Sequence, residues 1–234
     1  MKNQRVAIIT AASKGIGAAC ARRLASDGYK LVLMSRSDDL FSFCDQLNAR
    51  PIMGSVENEK DLERLVNFTY EKYGRIDAVI CNSGHAPKGS LLSLKDNDWQ
   101  KGVDLLMMPI IRLARAIGPI MARQKNGSFV NISTFGAKEP SLNFPVSSVI
   151  RSAISSYCKL FASELGADNV RMNNILPGYI NSYPADENTI NSIPMLRQGS
   201  PEEVAELASF LISEKSAYIT GQDFLIDGGL TKSI

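Results

Sequence analysis

Residues 5–25 read RVAIIT, then AASKGIG, then AACARRLA. The first block is apolar or β-branched at almost every position, which predicts a buried parallel strand, and the last block has the apolar spacing of an amphipathic helix. The loop between them contains Ser13, Lys14, Gly15, Ile16 and Gly17. Because a helix N-terminus presents free N–H groups and glycine lets an anion approach the backbone, this unit is a candidate phosphate site. A strand-to-helix turn without a ligand has the same pattern and is the alternative.

The composition of the whole chain narrows the classes of protein to consider. Its 234 residues, 44% of them hydrophobic, suit one α/β domain with a sizeable core, the alternative being two small domains. The net charge of +2 gives no electrostatic footprint for nucleic acid or for an anionic membrane. No unbroken apolar run has the roughly 18 residues of a transmembrane helix, and the first residues lead into a strand instead of a signal peptide. We therefore expect a cytoplasmic protein that binds neither nucleic acid nor membrane.

Metal and nucleophile chemistry have few candidate residues in this chain. The four cysteines, Cys20, Cys44, Cys81 and Cys158, are far apart and form no CxxC pair. We expect them to be reduced packing residues, the alternative being a disulfide or metal role. His85 is the single histidine, which leaves neither a histidine-rich metal site nor a Ser-His-Asp triad. We predict no metal site.

Strand and helix patterns alternate along the remainder of the chain. Strands are predicted at residues 29–35, 50–54, 76–81, 128–133, 170–176 and 223–227. Helices are predicted at residues 38–48, 57–73, 96–123, 145–166 and 201–213. With no linker and no repeat, these elements indicate a single α/β domain over residues 1–234. Its seven parallel strands form a doubly wound sheet that helices cover on both faces.

Ligands of such sheets bind beyond the carboxyl ends of the strands. The loops that can carry a site therefore begin near Thr10, Ser35, Gly54, Asn82, Ser133 and Pro177. The segment after the sixth strand contains several prolines and glycines with Asn and Ser between them. We predict a mobile substrate loop at about residues 179–199, with a short helix inside it.

Five short motifs follow one another along the chain. They are Thr10, Gly15 and Gly17; Cys81, Asn82, Ser83 and Gly84; residues 130–134 (VNIST); Pro177, Gly178, Ile180 and Ser182; and residues 219–222 (ITGQ) with 227–229 (DGG). In this order they resemble the TGxxxGxG, NNAG, strand-five serine, PGxIxT and strand-seven motifs of the short-chain dehydrogenase/reductase family, in particular its 3-oxoacyl-ACP-reductase-like members. The resemblance covers nearly the whole chain. It implies a Rossmann fold, a nicotinamide dinucleotide and oxidoreductase chemistry.

Two positions depart from the family pattern around the cofactor. Ala11 stands at the first glycine of the opening motif, where an alanine is tolerated if its φ angle is negative. After the third strand, Ser55 and Val56 replace the Asp-Val pair that flanks adenine in the family. We expect an ordinary phosphate loop and a weaker adenine contact.

The charge at the end of strand two bears on the choice of cofactor. An NAD site usually has an acidic residue there to hold the ribose 2′-hydroxyl, whereas this chain has Ser35 and Arg36. Together with Lys14 in the phosphate loop, Arg36 suits the 2′-phosphate of NADP(H). The resemblance therefore implies NADP(H) in preference to NAD(H), the alternative being two solvated surface cations.

The catalytic positions of the family are altered in this chain. Family members reduce carbonyls with a tyrosine and a lysine four residues later, which face the same way on one helix. The spacing from Thr134, at the family's catalytic serine, puts Ser147 at the tyrosine position, and the spacing back from Pro177 puts Arg151 at the lysine position. The family's asparagine aligns with Asp104. The resemblance thus implies an altered tetrad of Asp104, Thr134, Ser147 and Arg151.

These replacements remove the usual proton donor. Ser147 is a far weaker acid than a phenol and is shorter, while Arg151 keeps a charge that can hold the ribose but does not exchange a proton. Since general-acid catalysis is worth roughly a hundred- to ten-thousandfold, we expect ordinary family turnover to be strongly reduced. Tyr157 and Lys159 do not restore the pair, because they are two residues apart instead of four.

Three functions remain open from the sequence. The first is an NADP(H)-dependent oxidoreductase of a small carbonyl or alcohol substrate, which takes its proton from water, from His85 or from the substrate. His85 lies in a loop and is otherwise a plain surface residue. The second is a catalytically inactive cofactor-binding subunit or sensor. The third is a non-redox lyase or isomerase with Asp104 as base, although we expect Asp104 to form a buried ion pair with Arg151.

The resemblance also bears on partners. Family members are commonly dimers or tetramers that pair their two long helices. The helices predicted at 96–123 and 145–166 are rich in Leu, Ile, Met and Ala, which fits such an interface and equally fits core packing. We expect a homodimer or homotetramer, with a mixed oligomer as the alternative, and a small-molecule substrate.

Overall fold

The computed structural model describes residues 4–233. Within these residues, seven strands form one parallel sheet in the order β3-β2-β1-β4-β5-β6-β7. The strands are β1 (Val6–Thr10), β2 (Lys30–Ser35), β3 (Arg50–Met53), β4 (Ala78–Cys81), β5 (Gly127–Ile132), β6 (Val170–Pro177) and β7 (Asp223–Ile226). The predicted doubly wound α/β fold is confirmed.

Strand β1 lies at the centre of the fold. Every residue of Val6–Thr10 is buried, and β1 pairs with β2 on one side and with β4 on the other. The chain therefore adds β2 and β3 outward from β1, then crosses to β4 and continues in the opposite direction. The crevice between the loops that follow β1 and β4 is the place at which doubly wound sheets bind ligands.

Helices cover both faces of the sheet. They are α1 (Gly15–Ser26), α2 (Asp39–Leu47), α3 (Glu59–Tyr73), α4 (Asp96–Gly102), α5 (Met108–Gln124), α6 (Pro145–Leu165), α7 (Glu187–Asn191) and α8 (Pro201–Ile212). One core contains Leu24 of α1, Leu40 of α2 and Leu211 of α8, and the other contains Leu65 of α3 and Leu113 of α5. Burial on both faces explains why the strands read as continuous apolar runs.

The helix predicted at residues 96–123 is not one regular α-helix, which corrects the sequence prediction. A π-helical turn, Val103–Met107, separates α4 from α5. Pro109 has no N–H to donate to the carbonyl oxygen of Leu105, so the α-helical ladder cannot run through this point unchanged. The turn contains Asp104, one of the predicted site residues.

The combined helical stretch Asp96–Gln124 is long and apolar enough, by length and composition alone, to cross a membrane. Half of its most apolar window is buried inside the protein. Charged residues such as Asp104 and Arg112 interrupt the stretch, which is why no unbroken apolar run predicts it. Core helices have the same composition, and the burial of this one indicates that it belongs to the core.

All four cysteines are free and buried, which confirms that they are reduced packing residues. Burial raises the pKa of Cys20, Cys81 and Cys158 to about 12 and that of Cys44 to about 11. Thiols with such pKa values are protonated and unreactive at neutral pH. Within residues 4–233, no group of three His, Cys, Asp or Glu side chains is placed to hold a metal ion.

Candidate functional site

Two loops at the carboxyl ends of β1 and β4 are tied together by hydrogen bonds. The hydroxyl of Thr10 donates to the carbonyl oxygen of Asn82 over 2.7 Å, and the backbone N–H of Asn82 donates to Thr10 Oγ1 over 3.0 Å. The side-chain amide of Asn82 donates to the carbonyl oxygen of Ala11 over 3.2 Å. The fold therefore brings together, in one crevice, residues that belong to separate sequence motifs.

The backbone of the first loop differs from the expectation at Ala11. Its φ angle is +47° instead of negative, so this alanine adopts the left-handed conformation at a steric cost of roughly 1 kcal/mol. Gly17 lies under the same peptide, because a Cβ atom added there would be 2.2 Å from the carbonyl oxygen of Ala11. Gly15 has a φ angle of +52°, and a Cβ atom added to it would contact Ser182. Glycine is therefore required at both positions of the loop.

The N-terminus of α1 is free to bind an anion. Lys14, the N-cap residue, makes no side-chain capping bond, and the first turn contains no acidic residue. The N–H groups of this turn and the helix dipole favour a phosphate. Open space adjoins the second loop, since a Cβ atom added to Gly84 would meet nothing within 4 Å. These features fit the pyrophosphate and the nicotinamide half of a dinucleotide.

Serine residues lie at the end of the crevice that adjoins β2 and β3. Ser35 Oγ donates to Ser13 Oγ over 2.9 Å, which joins the end of β2 to the phosphate loop. After β3, the backbone N–H of Ser55 donates to Asp61 over 3.0 Å, and Val56 is buried. Asp61, a residue of α3, therefore contacts the loop that follows β3. Ser55 in that loop occupies the position that is acidic in the family that the sequence resembles.

The two predicted cations lie at this end and each forms an exposed ion pair. Lys14 Nζ is 3.4 Å from Asp39 Oδ2, and Arg36 Nη1 is 3.8 Å from Glu57 Oε1. The side chains of Lys14 and Arg36 are 76% and 73% exposed. Because exposed ion pairs contribute little free energy, both cations remain available to a ligand phosphate.

Arg151 of α6 lies between the ends of β4 and β5. Its Nη1 donates to the carbonyl oxygen of Ile132 over 2.5 Å, and its Nη2 donates to Ser83 Oγ over 3.3 Å. Ser147 stands one turn earlier on α6 and is half-buried, as is Thr134 after β5. The structure therefore places Arg151 in contact with the loop that contains Ser83, with Ser147 one turn away on the same helix and Thr134 just after β5.

Asp104 does not pair with Arg151, which corrects the expectation of a buried ion pair. Gln100, four residues earlier, donates from Nε2 to Asp104 Oδ1 over 3.0 Å. None of the ion pairs formed by residues 4–233 includes Arg151. A partner on the same helical face needs no rearrangement of the chain, so the local contact prevails over the distant one. Burial lowers the pKa of Arg151 to about 10.

His85 lies at the mouth of the crevice against the ring of Tyr183. The two ring centroids are 4.7 Å apart and the planes meet at 79°, an edge-to-face contact. Partial burial lowers the pKa of His85, and the positive charges of Lys88 and Arg151 lower it further. The contact joins the loop after β4 to the loop after β6. Sequence reasoning missed Tyr183, whose single signal is an aromatic residue in a polar loop.

The loop of residues 179–199, which the sequence predicts to shape the substrate pocket, is anchored at both ends. The N–H of Gly178 donates to a carbonyl oxygen of β7 over 3.0 Å, and Ile180 forms a parallel β-bridge with Gly199. Between these anchors, α7 is the short helix that the sequence predicts. At the far end of the loop, Arg197 pairs with Glu203 of α8 over 2.7 Å. The loop is therefore attached to β7 and to α8.

Comparisons with known proteins agree with one another. A family model described as enoyl-(acyl carrier protein) reductase matches residues 10–231. A 3-oxoacyl-[acyl-carrier-protein] reductase of Synechocystis sp. is 31% identical over 238 residues, which cover 97% of this chain and 96% of the relative. Dehydrogenase/reductase SDR family member 4 of Oryctolagus cuniculus is 33% identical over 241 residues, 96% of this chain and 93% of the relative. Among solved structures, YwfH, an NADPH-dependent reductase involved in bacilysin biosynthesis, matches with a TM-score of 0.92 and 28% identity over 99% of this chain and 100% of that chain.

Proposed function

Because the chain belongs to the short-chain dehydrogenase/reductase family, we propose that it is an NADP(H)-dependent oxidoreductase of a small carbonyl or alcohol substrate that works without the family's Tyr-Lys pair. The observation that carries this proposal is the crevice between β1 and β4, where Thr10 and Asn82 hold two loops together beside the uncapped N-terminus of α1. Relatives named as acyl-carrier-protein reductases support the reaction class, and a structural neighbour named as NADPH-dependent supports the cofactor.

Each part of an NADP(H) molecule can be assigned to a set of residues in the crevice. The first turn of α1, with Gly15 and Gly17, would hold the pyrophosphate, and Lys14 and Arg36 would bind the 2′-phosphate. Val56 would flank the adenine. The nicotinamide half would lie among Asn82, Ser83, Gly84, Arg151, Pro177, Gly178, Ile180 and Ser182. Bound NADPH supplies the hydride.

The origin of the proton is the unusual part of this function. Thr134 keeps a hydroxyl that can donate to a substrate carbonyl oxygen and polarise it. Ser147 is not an acid near neutral pH, and Arg151 stays protonated. The pKa of His85 lies below its usual 6.5, so His85 is mainly neutral at pH 7. Solvent therefore supplies the proton at pH 7, and the His85 imidazolium contributes only in more acidic solution.

A cofactor-binding protein without hydride transfer is the second candidate function. One observation favours it, the serine at position 147, because the loss of a general acid costs roughly a hundred- to ten-thousandfold in rate. A lyase or isomerase with Asp104 as base is not favoured by any contact among residues 4–233. Hydride transfer therefore separates the two candidates that remain.

Two measurements test the proposal. Calorimetric titration is expected to show that NADPH binds more tightly than NADH. NADPH labelled with deuterium at C4 is then expected to transfer the label to one face of a carbonyl carbon, at a low rate, for at least one member of a panel of small ketones and aldehydes. Tight NADPH binding without transfer would support the cofactor-binding subunit instead, and failure to bind either nucleotide would overturn both functions.

We also propose that the protein is a cytoplasmic homodimer or homotetramer. Apolar side chains on α6 support this, since Val149 and Leu160 are 53% and 69% exposed. A second copy packed against α5 and α6 would remove them from water. Sedimentation equilibrium is expected to give the mass of two or four chains. A monomer mass would contradict the proposal, unless a different chain supplies the partner of a mixed oligomer.

A further inference from the structure

Arg151 is a buried guanidinium that forms no ion pair with any of residues 4–233. Two arginines among residues 4–233 are buried, Arg151 with 8% of its surface exposed and Arg171 with 7%. Arg171 donates to two backbone carbonyl oxygens. Arg151 donates to one carbonyl oxygen and, over a longer distance, to Ser83 Oγ, and its buried Nε atom has no partner. Arg151 therefore keeps donor capacity that the protein itself does not use.

A buried charge without an opposite charge is unfavourable, because no ion pair offsets the free energy that the charge loses when it is removed from water. The pKa of Arg151, lowered by burial to about 10, is still far above neutral pH, so the guanidinium is charged at pH 7. An anionic group that entered the crevice would supply the missing opposite charge. A carboxylate matches the guanidinium in shape, because the planar N–H groups can donate to both of its oxygens side by side.

No carboxylate in the described part of the chain pairs with Arg151 in place of a ligand. Asp104 accepts its hydrogen bond from Gln100 and is outside ion-pairing distance. On the side of the crevice mouth, His85 is subject to the positive charges of Arg151 and Lys88. The phosphates of a dinucleotide belong at the N-terminus of α1, away from this position. The nicotinamide end of the crevice is therefore electropositive.

The serine at position 147 gives a substrate access to Arg151. Residues 147 and 151 lie on one face of α6, one turn apart. A serine side chain ends at Oγ, whereas a tyrosine at the same position would extend an aromatic ring from this face. The side of the guanidinium next to position 147 is therefore left free of an aromatic ring, and a small substrate group can approach from there.

We propose that the substrate has a carboxylate close to its carbonyl or hydroxyl carbon and that Arg151 binds this carboxylate. The assignment rests on the proposed function, since it places the acid beside the nicotinamide position of the crevice. The substrate class is then the small oxo acids and hydroxy acids. Acyl-carrier-protein thioesters, for which some relatives are named, have a neutral thioester in place of the carboxylate and are not preferred.

Binding of matched probes tests the assignment without turnover. Pyruvate and pyruvamide, and benzoate and benzamide, are titrated by calorimetry into protein saturated with NADP⁺. We expect the wild type to bind each acid at least about tenfold more tightly than its amide. Arg151→Gln is expected to lose this discrimination, and Arg151→Lys, which keeps the charge, to retain part of it. Lys88→Gln, a change at an exposed cation of the crevice mouth, is the matched control and is expected to retain it.

Each outcome decides for or against the carboxylate site. Equal binding of acid and amide by the wild type, no binding of either acid, or discrimination that survives in Arg151→Gln would overturn it. Thermal melts and NADPH titrations of the same variants show whether they fold and bind cofactor, and if Arg151→Gln does not fold, the graded loss in Arg151→Lys decides. If the wild type binds no NADP⁺, the proposed function fails separately. Titration of the free protein then still tests Arg151 alone.

Discussion

The side-chain amide of Asn82 holds the carbonyl oxygen of Ala11 by a hydrogen bond of 3.2 Å, directly over Gly17. This bond fixes the direction of the peptide that follows Ala11, whose φ angle is +47°. The left-handed conformation of Ala11 persists because a contact from the loop after β4 holds it, in addition to the contacts within the loop after β1. The shape of the phosphate loop is therefore a property of two loops.

Ala11→Gly is expected to stabilise the protein. The change removes a Cβ atom from a left-handed residue and should raise the free energy of unfolding by up to about 1 kcal/mol, which is about 2–4 °C in melting temperature for a chain of this size. Ala12→Gly is the control, because Ala12 is buried and its φ angle is not positive. It should lower the melting temperature. Equal losses in both variants would contradict the strain at Ala11.

Gly84→Ala is expected to separate cofactor binding from folding. A Cβ atom at this position meets no protein atom within 4 Å, so the melting temperature of the free protein should be unchanged. The methyl group would occupy space beside the bound dinucleotide and weaken NADPH about tenfold or more. Gly166→Ala, which also adds its Cβ to open space, should change neither quantity. Unaltered NADPH affinity in Gly84→Ala would place the nucleotide elsewhere.

Lys14→Ala and Arg36→Ala are expected to weaken NADPH binding about tenfold each, while NADH binding changes little. Each cation would lose a charge-assisted contact with the 2′-phosphate, which NADH lacks. Arg50→Ala is the control, since Arg50 is exposed at the opposite end of the neighbouring strand β3. Calorimetry with both nucleotides gives the ratio. A parallel loss of NADH affinity would show that the cations bind the pyrophosphate instead.

The double change Ser147→Tyr and Arg151→Lys is expected to increase carbonyl reduction about a hundredfold or more, because it restores a general acid and the lysine one turn later. The single change Arg151→Lys is the control and should gain little, since no phenol is present for the lysine to assist. NADPH oxidation with the carbonyl panel measures both. A double variant that folds and binds NADPH but gains no activity would show that the pocket, and not the missing acid, limits the rate.

Glu203→Gln is expected to destabilise the protein at pH 7 and not in strong acid. The hydrogen bond from Arg197 and the backbone bond from Ser200 lower the pKa of Glu203 to about 2, from 4.5. A lowered carboxyl pKa adds stability above pH 4.5, and this stability is lost as the pH falls towards 2. Since the pair is largely exposed, we expect about 1 kcal/mol at most. Glu202→Gln, in the same first turn of α8, is the control. A gap in melting temperature that persists below pH 2 would contradict the assignment.

Short continuous apolar runs, separated by helical patterns, were sufficient to predict the strands. A strand that is buried on both faces has apolar residues at nearly every position. The same argument placed the six loops that can carry a site at one edge of the sheet, since parallel strands end at the same edge. That the loops after β1 and β4 are joined there was shown by the structure. The π-helical turn was not predicted, because a proline such as Pro109 is compatible with a kink, a break or a new helix start, and the surrounding packing decides among them.

The errors at the site have a common cause, which is that they depend on contacts between distant segments. The positive φ angle of Ala11 follows from a hydrogen bond with Asn82, and the contact of Tyr183 with His85 joins two different loops. The pairing expected between Asp104 and Arg151 assumed that opposite charges near one site must meet. Instead, Asp104 accepts a hydrogen bond from Gln100 on its own helix and forms no pair with Arg151.

The burial of all four native thiols has a practical consequence for experiments on motion. At neutral pH a maleimide dye finds no reactive native cysteine, because the pKa values of the four thiols lie at about 11 to 12. A single cysteine introduced by Tyr183→Cys can therefore be labelled without first removing the others. The fluorescence of that dye would report whether the surroundings of position 183, in the loop of residues 179–199, change when nucleotide is added.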